Sequence, residues 1–281
     1  MGNRFGLTFK AILIAASTLA QPALADDFIP GGEEQFKITA GGIIAQIDSG
    51  VGLNGTTQKG TVIDLDGLNS NKKVANFVLG AQWRPGSRHR ISGTYFTTKK
   101  DRSVSFDRSV TVGDDTLIPP TTLNSTSKNR FIFATYQYSF VKKPTLEIAG
   151  LLGAYVNKFS AEISGTATVS NSSGITTINK TVDYKPSVTV PMPLIGASVD
   201  WYVSPQFSVN GSLSGLKAKI GDVNGSVYVA SAGAEYMFTR NFGVGLTYMH
   251  TSAKVDVTKK TFDGRINWKN DNLLLSAVLK F

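Results

Sequence analysis

The sequence predicts an all-β fold in which the chain closes into an antiparallel, up-and-down transmembrane β-barrel of ten strands, with eight strands as the alternative. Three observations predict it. Ten segments alternate apolar and polar residues with the period of a β-strand. No segment after the N-terminal leader approaches the roughly 18 continuous apolar residues of a spanning helix. The connections between the segments alternate between short and long.

The start of the chain has the layout of a secretory signal peptide. Arg4 and Lys10 flank the beginning of the leader, an apolar run follows over 11–20, and Ala23-Leu24-Ala25 supplies the small residues of a cleavage site. The chain contains no cysteine, so disulfides cannot stabilise it after export. We therefore predict two parts: a signal peptide over 1–25 and one barrel domain over 26–281.

Each strand is placed by its alternation, which is clearest in the seventh, where Phe207, Val209 and Leu213 alternate with Ser and Asn. Ten such strands would enclose more apolar surface than a narrow lumen could hold, so we expect the apolar faces to point at lipid. The predicted strands are 35–47, 74–84, 88–102, 128–141, 145–160, 190–203, 206–218, 226–239, 241–256 and 266–281.

Four short connections, "RPGSRH", "FVKKPT", "VSPQ" and "FTRN", carry the Pro, Gly or Asn of tight turns. An aromatic residue lies just before each of them, at the same end of the predicted barrel. Aromatic rings prefer the interface between membrane and water. We therefore predict an aromatic girdle formed by Trp83, Tyr138, Trp201 and Tyr236.

Several charged residues are expected to point into the lumen when each alternation is continued towards the short turns. They are Lys37, Arg90, Glu147, Asp200, Glu235 and Lys280. Buried charges are tolerable only when they satisfy one another. We predict that the six form a lumen charge network that closes or gates the barrel. The alternative is that they are interfacial charges in contact with water.

The last strand ends the chain on an aromatic residue, with Phe281, Leu279, Ala277 and Leu275 on one face. With the leader, the even set of amphipathic strands and the alternating connections, this strand resembles those of bacterial outer-membrane β-barrel proteins of the OmpA and OmpW type. The resemblance implies a Gram-negative outer-membrane location, periplasmic termini and a C-terminal strand recognised by the barrel-assembly machinery. Closure then requires residues 270–280 to pair antiparallel with 36–46.

The charge balance bears on partners, because the predicted barrel domain holds 27 basic against 20 acidic residues. For an exported chain we expect outer-membrane lipid or lipopolysaccharide as the partner of these bases, and no nucleic acid. The alternative is that the bases are solvated loop charges. Two polar segments, "LIPPTTLNSTS" and "SGTATVSNSSGITTINKTVDYKPS", are predicted to be flexible loops on the outer side that could bind a surface ligand.

Catalytic motifs are sparse, and we predict no cofactor and no metal site. His250 and Ser252 share one face of the ninth strand. They resemble the H-x-S of outer-membrane lipid A 3-O-deacylases, in which the His activates the Ser and a carboxylate orients the His. No carboxylate of this chain is identified from the sequence for that role.

The predicted function is a non-enzymatic, structural or surface-interacting one, with a narrow pore as an open possibility. Two alternatives remain: a porin-like channel for small solutes, and a deacylase-like esterase that uses His250 and Ser252.

Overall fold

The computed structural model describes residues 28–54, 59–61, 63–64, 74–106, 109–112, 114–119, 121–171, 176–185, 187–259 and 262–281. The predicted signal peptide lies outside these ranges. No helix among the described residues is long and apolar enough to span a membrane.

The described residues form one antiparallel sheet. Its strands are β1 (Phe36–Leu53), β2 (Ile63–Asp64), β3 (Val74–Gly86), β4 (His89–Phe106), β5 (Val110–Val112), β6 (Asp115–Ile118), β7 (Thr121–Lys143), β8 (Leu146–Asn171), β9 (Thr176–Tyr184), β10 (Ser187–Tyr202), β11 (Phe207–Ile220), β12 (Val223–Met237), β13 (Phe242–Lys259) and β14 (Phe262–Lys280).

Ten of these strands form a closed ring in the order β1, β3, β4, β7, β8, β10, β11, β12, β13 and β14. Each of the ten overlaps one of the predicted strands. The ring closes by pairing β1 with β14, from Lys37 opposite Lys280 to Leu53 opposite Gly264. Phe281 continues this seam, because its backbone N–H donates to Phe36 at 2.9 Å and its carbonyl accepts from Phe36 at 3.0 Å. The predicted all-β barrel and its terminal pairing are confirmed.

The prediction of long flexible loops on the outer side is wrong for the parts that the structure describes. Residues 121–127 belong to β7, residues 164–171 belong to β8, and β9 pairs with β8. β7 and β8 contain 23 and 26 residues, whereas a strand needs only about 9 to 11 to cross a bilayer. The Ser and Thr residues of these segments suggested loops. β-branched Thr also favours strands when neighbouring strands supply the backbone hydrogen bonds.

The connection predicted over 219–225 is also shorter than expected. β11 and β12 are joined by a two-residue turn at Gly221 and Asp222. Gly221 has φ of 56°, a left-handed conformation that glycine adopts without steric cost. Its position allows the two strands to continue as a hairpin beyond the length predicted for them.

The two faces of the ring strands exchange polarity along their length. On β13, Phe242, Leu246 and Tyr248 are exposed on the exterior near the short turns. Farther along the same strand the interior side chains Val255 and Val257 are buried, while exterior positions are polar. The expectation that apolar residues face outward therefore holds for the turn-side half only.

The far half encloses a continuous apolar core. The β5–β6 hairpin contributes Val110 and Leu117 to this core, and Thr61 donates its backbone N–H to the Thr111 carbonyl at 2.9 Å. Other buried members are Ile43, Val78, Phe96, Phe131, Tyr155, Phe159, Val190, Met192, Val255, Ile266 and Trp268. The far half thus has the burial pattern of a water-exposed barrel, and the turn-side half has the reverse pattern.

The polarity exchange predicts unequal effects for one substitution at two depths. Leu275→Arg, at an exposed apolar position of β14, should reduce the stability of the protein folded in lipid bilayers by about 2 to 4 kcal/mol. Thr258→Arg, at an exposed exterior position in the far half of β13, should change it by less than about 0.5 kcal/mol. Urea titration in liposomes measures both. Equal effects would contradict the assignment of the apolar band to the turn-side half.

Candidate functional site

The lumen near the short turns contains the six charged residues predicted to point inward. Glu235 accepts from Lys37 at 2.8 Å and lies 3.0 Å from the Lys280 ammonium. The Arg90 guanidinium lies 2.8 Å from the Asp200 carboxylate. These five residues therefore pair with one another. The sixth, Glu147, pairs with residues that the sequence argument did not include, and a gating role for the network remains a prediction.

Glu147 is fully buried and accepts several hydrogen bonds from side chains that point into the lumen. The Arg84 guanidinium donates to both of its carboxylate oxygens, each at 2.9 Å. Lys142 lies 3.1 Å away, and the hydroxyls of Tyr202 and Ser139 also donate. A bidentate Arg and carboxylate pair combines charge with fixed geometry, which makes it one of the stronger contacts available to a buried carboxylate.

Residues 28–35, which precede β1, close part of this end of the barrel. Glu34 is buried, lies 3.5 Å from the Arg84 guanidinium, and accepts from Gln82 at 3.2 Å. Gly32 has φ of 76° and its carbonyl accepts from Lys142 at 2.6 Å. A side chain at Gly32 would collide with the Lys142 ammonium, so glycine permits the segment to lie against the network.

Arg84 and Lys142, the two basic partners of Glu147 that the sequence analysis missed, face inward for different reasons. Arg84 faces inward because its neighbour Trp83 faces outward. The sequence contains this alternation, but Arg84 lies next to the predicted turn, where alternation is a weaker guide. Lys142 faces inward because the pairing of β7 with β8 shifts between Ser139 and Val141. An irregularity of this kind changes which side chains share a face, and it cannot be predicted from the alternation in the sequence.

The ion pairs cross the lumen, because their partners do not lie on neighbouring strands. Glu235 on β12 and Lys37 on β1 are separated in the ring by β13 and β14. Arg84 on β3 and Glu147 on β8 are separated by β4 and β7. Arg90 on β4 reaches Asp200 on β10 across β7 and β8.

A polar cavity of about 230 Å³ lies beside these ion pairs. Hydroxyl and amide groups line much of its wall, including Thr39, Gln82, Ser198, Asn210 and Thr247, and the paired Lys37, Arg90, Asp200 and Glu235 also border it. Its charged groups already have partners, so the cavity offers mainly neutral hydrogen-bonding groups.

A second set of cross-lumen contacts lies farther from the short turns. Trp268 on β14 donates its indole N–H to the Tyr155 hydroxyl on β8 at 3.0 Å. These strands lie on opposite sides of the ten-strand ring. Phe131 and Phe133 pack against Tyr155, and Phe96 stacks on Phe131 with ring centroids 4.5 Å apart. We call Phe96, Phe131, Phe133, Tyr155 and Trp268 the aromatic bridge.

Sequence reasoning missed the aromatic bridge entirely. Phe131 and Phe133 were assigned to a strand whose apolar residues were expected to face lipid, but Phe131 is 1% exposed and lies inside. A usable signal existed: the basic residues Lys128 and Arg130 share the opposite face of β7, and that face is the exterior in the far half.

The exterior near the short turns carries the remaining predicted residues. Trp83, Tyr138 and Trp201 are exposed there, and Tyr236 is half-buried. Phe281, Leu279, Ala277 and Leu275 are exposed along one face of the C-terminal strand. An interfacial role for the aromatic girdle and recognition of the last strand by the barrel-assembly machinery remain predictions.

His250 and Ser252 lie on the exterior wall, close to the depth at which polarity changes. His250 lies opposite Asp271 on β14, and its Nδ1 is 2.8 Å from the Asp271 carboxylate. Tyr248 donates its hydroxyl to the same carboxylate at 2.5 Å. Asp271 is thus the carboxylate that contacts His250. The alternation of β14 contained the signal, since Asp271 continues the outward face of Leu273 and Leu275.

The position of Ser252 leaves the catalytic arrangement incomplete. Ser252 lies two residues beyond His250 on the exterior face and is partly exposed. Among the described residues, no hydrogen bond joins the Ser252 hydroxyl to His250. With Nδ1 facing Asp271, Nε2 is the nitrogen available to accept a proton from a hydroxyl group.

Comparison with known proteins identifies the fold and nothing finer. No protein-family model matches the chain, and no curated protein matches it. Among solved structures, the outer membrane protease OmpT from Escherichia coli aligns with 88% of this chain and 96% of its own, at 11% identity and a TM-score of 0.54. The translocator domain of the autotransporter NalP from Neisseria meningitidis aligns with 98% and 95%, at 10% identity and a TM-score of 0.43.

The chain has the fold of the outer-membrane β-barrel proteins. The closed antiparallel ring and the likeness to OmpT support this statement together. At this level of identity the likeness extends to the fold alone, and the chemistry must be argued from the residues of this chain.

The bond across the aromatic bridge predicts a specific double-mutant result. Tyr155→Phe should lower the free energy of unfolding by about 1 to 3 kcal/mol, because it leaves the buried Trp268 N–H without its partner. In a Trp268→Phe background the same change should cost much less. Tyr95→Phe, at an exposed exterior tyrosine of β4, is the control. Urea titration of the four proteins gives the coupling, and additive costs would contradict a direct bond.

Proposed function

We propose that the protein is a closed barrel of the Gram-negative outer membrane that acts through its outer surface rather than by conducting solutes. The observation that carries this proposal is the aromatic bridge, which joins opposite walls of the ring through the Trp268 and Tyr155 side chains. Ion pairs cross the lumen at a second depth. Two sets of cross-lumen contacts favour a structural or interactive role over a porin-like channel.

The same arrangement supports the location and partners that we propose. The apolar exterior of the turn-side half suits a bilayer, and the polar exterior of the far half suits water. We place the short turns and both chain ends in the periplasm, with the barrel-assembly machinery as the partner during insertion. The extended β7, β8 and β9 then present a broad polar sheet outside the membrane, where a surface ligand could bind.

Planar-bilayer recording tests the closed lumen. The wild-type protein should show no stable conductance steps. The variant Arg90→Ala/Glu235→Ala/Trp268→Ala, which removes contacts at both depths, should show them, provided that its electrophoretic heat-modifiability matches that of a folded barrel. Arg90→Ala/Glu235→Ala, which keeps the bridge, is the matched control and should stay closed. Steady conductance by the wild type at the level of the triple variant would favour the solute-channel alternative.

We infer a second candidate function, an esterase on the barrel exterior, from the contact between His250 and Asp271. A carboxylate on Nδ1 fixes the ring orientation and stabilises the imidazolium that forms during catalysis. His250 lies where the exterior changes from apolar to polar, so an acyl ester of an outer-leaflet lipid could approach it from the membrane. The Ser252 hydroxyl is the nucleophile in this candidate.

The chemistry needs Ser252 to rotate towards Nε2 of His250. The Ser252 oxygen would attack the ester carbonyl while Nε2 takes its proton, and that proton would pass to the departing alkoxide as the ester bond breaks. Water would then hydrolyse the acyl-serine by the reverse sequence of proton transfers. The observation behind this candidate is the 2.8 Å contact between Nδ1 of His250 and Asp271, which turns Nε2 away from that carboxylate.

Mass spectrometry of lipid A from cells that express the protein tests this candidate. The expected result is loss of one 3-hydroxyacyl chain, abolished by Ser252→Ala and reduced by at least about a hundredfold in rate by Asp271→Asn. Ser226→Ala, at another exterior serine on β12, is the matched control and should retain full activity. Unchanged lipid A with well-folded wild-type protein would remove the esterase candidate.

A further inference from the structure

A group of basic residues lies on the exterior of β4, β7 and β8, at the depth where the apolar band ends. Tyr95, Ile132 and Val156 form a row of cross-strand neighbours on this wall. The next exterior row contains Arg130 and Lys158, which are opposite each other, and the row beyond contains Lys99 opposite Lys128. We call Lys99, Lys128, Arg130 and Lys158 the basic patch, and all four are exposed.

The basic patch breaks a rule of sheet stability. Residues directly opposite on antiparallel strands are close neighbours, and like charges at such positions destabilise the sheet. The patch contains two such pairs, Lys99 with Lys128 and Arg130 with Lys158. A local cost of this kind is offset when an anion binds between the charges.

The acidic residues near the patch do not neutralise it. Lys99 lies 3.0 Å from Asp101, and Lys128 lies 3.8 Å from Glu162. Both carboxylates occupy the fourth row, farther from the apolar band, and all four partners are about half exposed, where ion pairs contribute little. Within the described part of the chain, Arg130 and Lys158 have no carboxylate partner. The side of the patch nearest the apolar band is therefore the more strongly cationic.

The spacing of the patch suits more than one anionic group. Neighbouring strands lie about 4.8 Å apart, and alternate residues of a strand are roughly 6.8 Å apart. Four cations within such an area can contact two phosphates, and Arg130 can hold one of them through two parallel hydrogen bonds.

We propose that the basic patch binds the phosphorylated headgroup of an outer-leaflet glycolipid of the lipid A type, whose acyl chains lie along the apolar row of Tyr95, Ile132 and Val156. This inference rests on the proposed residence in the outer membrane. Charge complementarity selects the phosphates, and the adjoining exposed apolar row selects a ligand that carries acyl chains. The patch lies across the ring from His250, so it is separate from the candidate esterase.

Native mass spectrometry of the purified, detergent-folded protein tests the proposal by titration with bisphosphorylated lipid A. The test variant is Lys99→Gln/Lys128→Gln/Arg130→Gln/Lys158→Gln. The control variant, Lys217→Gln/Lys219→Gln/Lys254→Gln/Lys269→Gln, loses the same charge from exposed lysines of β11, β13 and β14. The test variant should bind roughly tenfold or more weakly than the wild type, and the control within about twofold.

Two further ligands separate the possible sources of the phosphate. Lipid A from which both phosphates have been removed should bind the wild type and the test variant equally weakly, and millimolar inorganic phosphate should not displace bound lipid A. Equal losses in the two variants, undiminished binding of the dephosphorylated lipid, or full displacement by inorganic phosphate would each overturn the proposal. A wild type that conducts would overturn the closed-barrel function and leave this outcome unaffected.

Discussion

The pairing of the first strand with the last is the interaction on which the rest of the structure depends. Without it, β1 and β14 would each present an unsatisfied edge, which hydrocarbon does not tolerate because it offers no hydrogen-bond partners. The pairing extends from Lys37 opposite Lys280 to Leu53 opposite Gly264, so the seam runs through both halves of the barrel. It also fixes which residues share the lumen: Lys37 and Lys280 meet at Glu235 only because the seam holds them side by side.

Polarity divides the closed sheet into two environments. The turn-side half has apolar residues outside and ion pairs inside, and the far half has Val255, Val257 and Trp268 inside with polar residues outside. The change occurs within single strands, so the backbone is continuous across it. Residues at this depth, such as His250 on one wall and Arg130 on the opposite wall, can meet both acyl chains and water. This explains why both candidate interaction sites lie at the same level of the barrel.

The sequence predicted the strands and their closure, because period-two alternation is a local signal that runs through residues 273–281 as well. It also identified five lumen charges that pair among themselves. It could not predict the contacts of Lys142, which depend on a register shift near Ser139, or the bond from Trp268 to Tyr155, which joins residues far apart in the chain. The alternation of β14 places Asp271 on the outward face. That His250 is its cross-strand neighbour follows only from the register of β13 with β14.

The cross-lumen contacts have a mechanical consequence. A hollow cylinder under lateral pressure flattens readily, because bending its wall requires little compression of any contact. Three contacts span the cylinder in different directions: Arg84 with Glu147, Arg90 with Asp200, and Trp268 with Tyr155. Packed interiors resist compression, so these contacts oppose flattening of the ring. The exterior side chains are therefore carried by a wall that is braced from within at two depths.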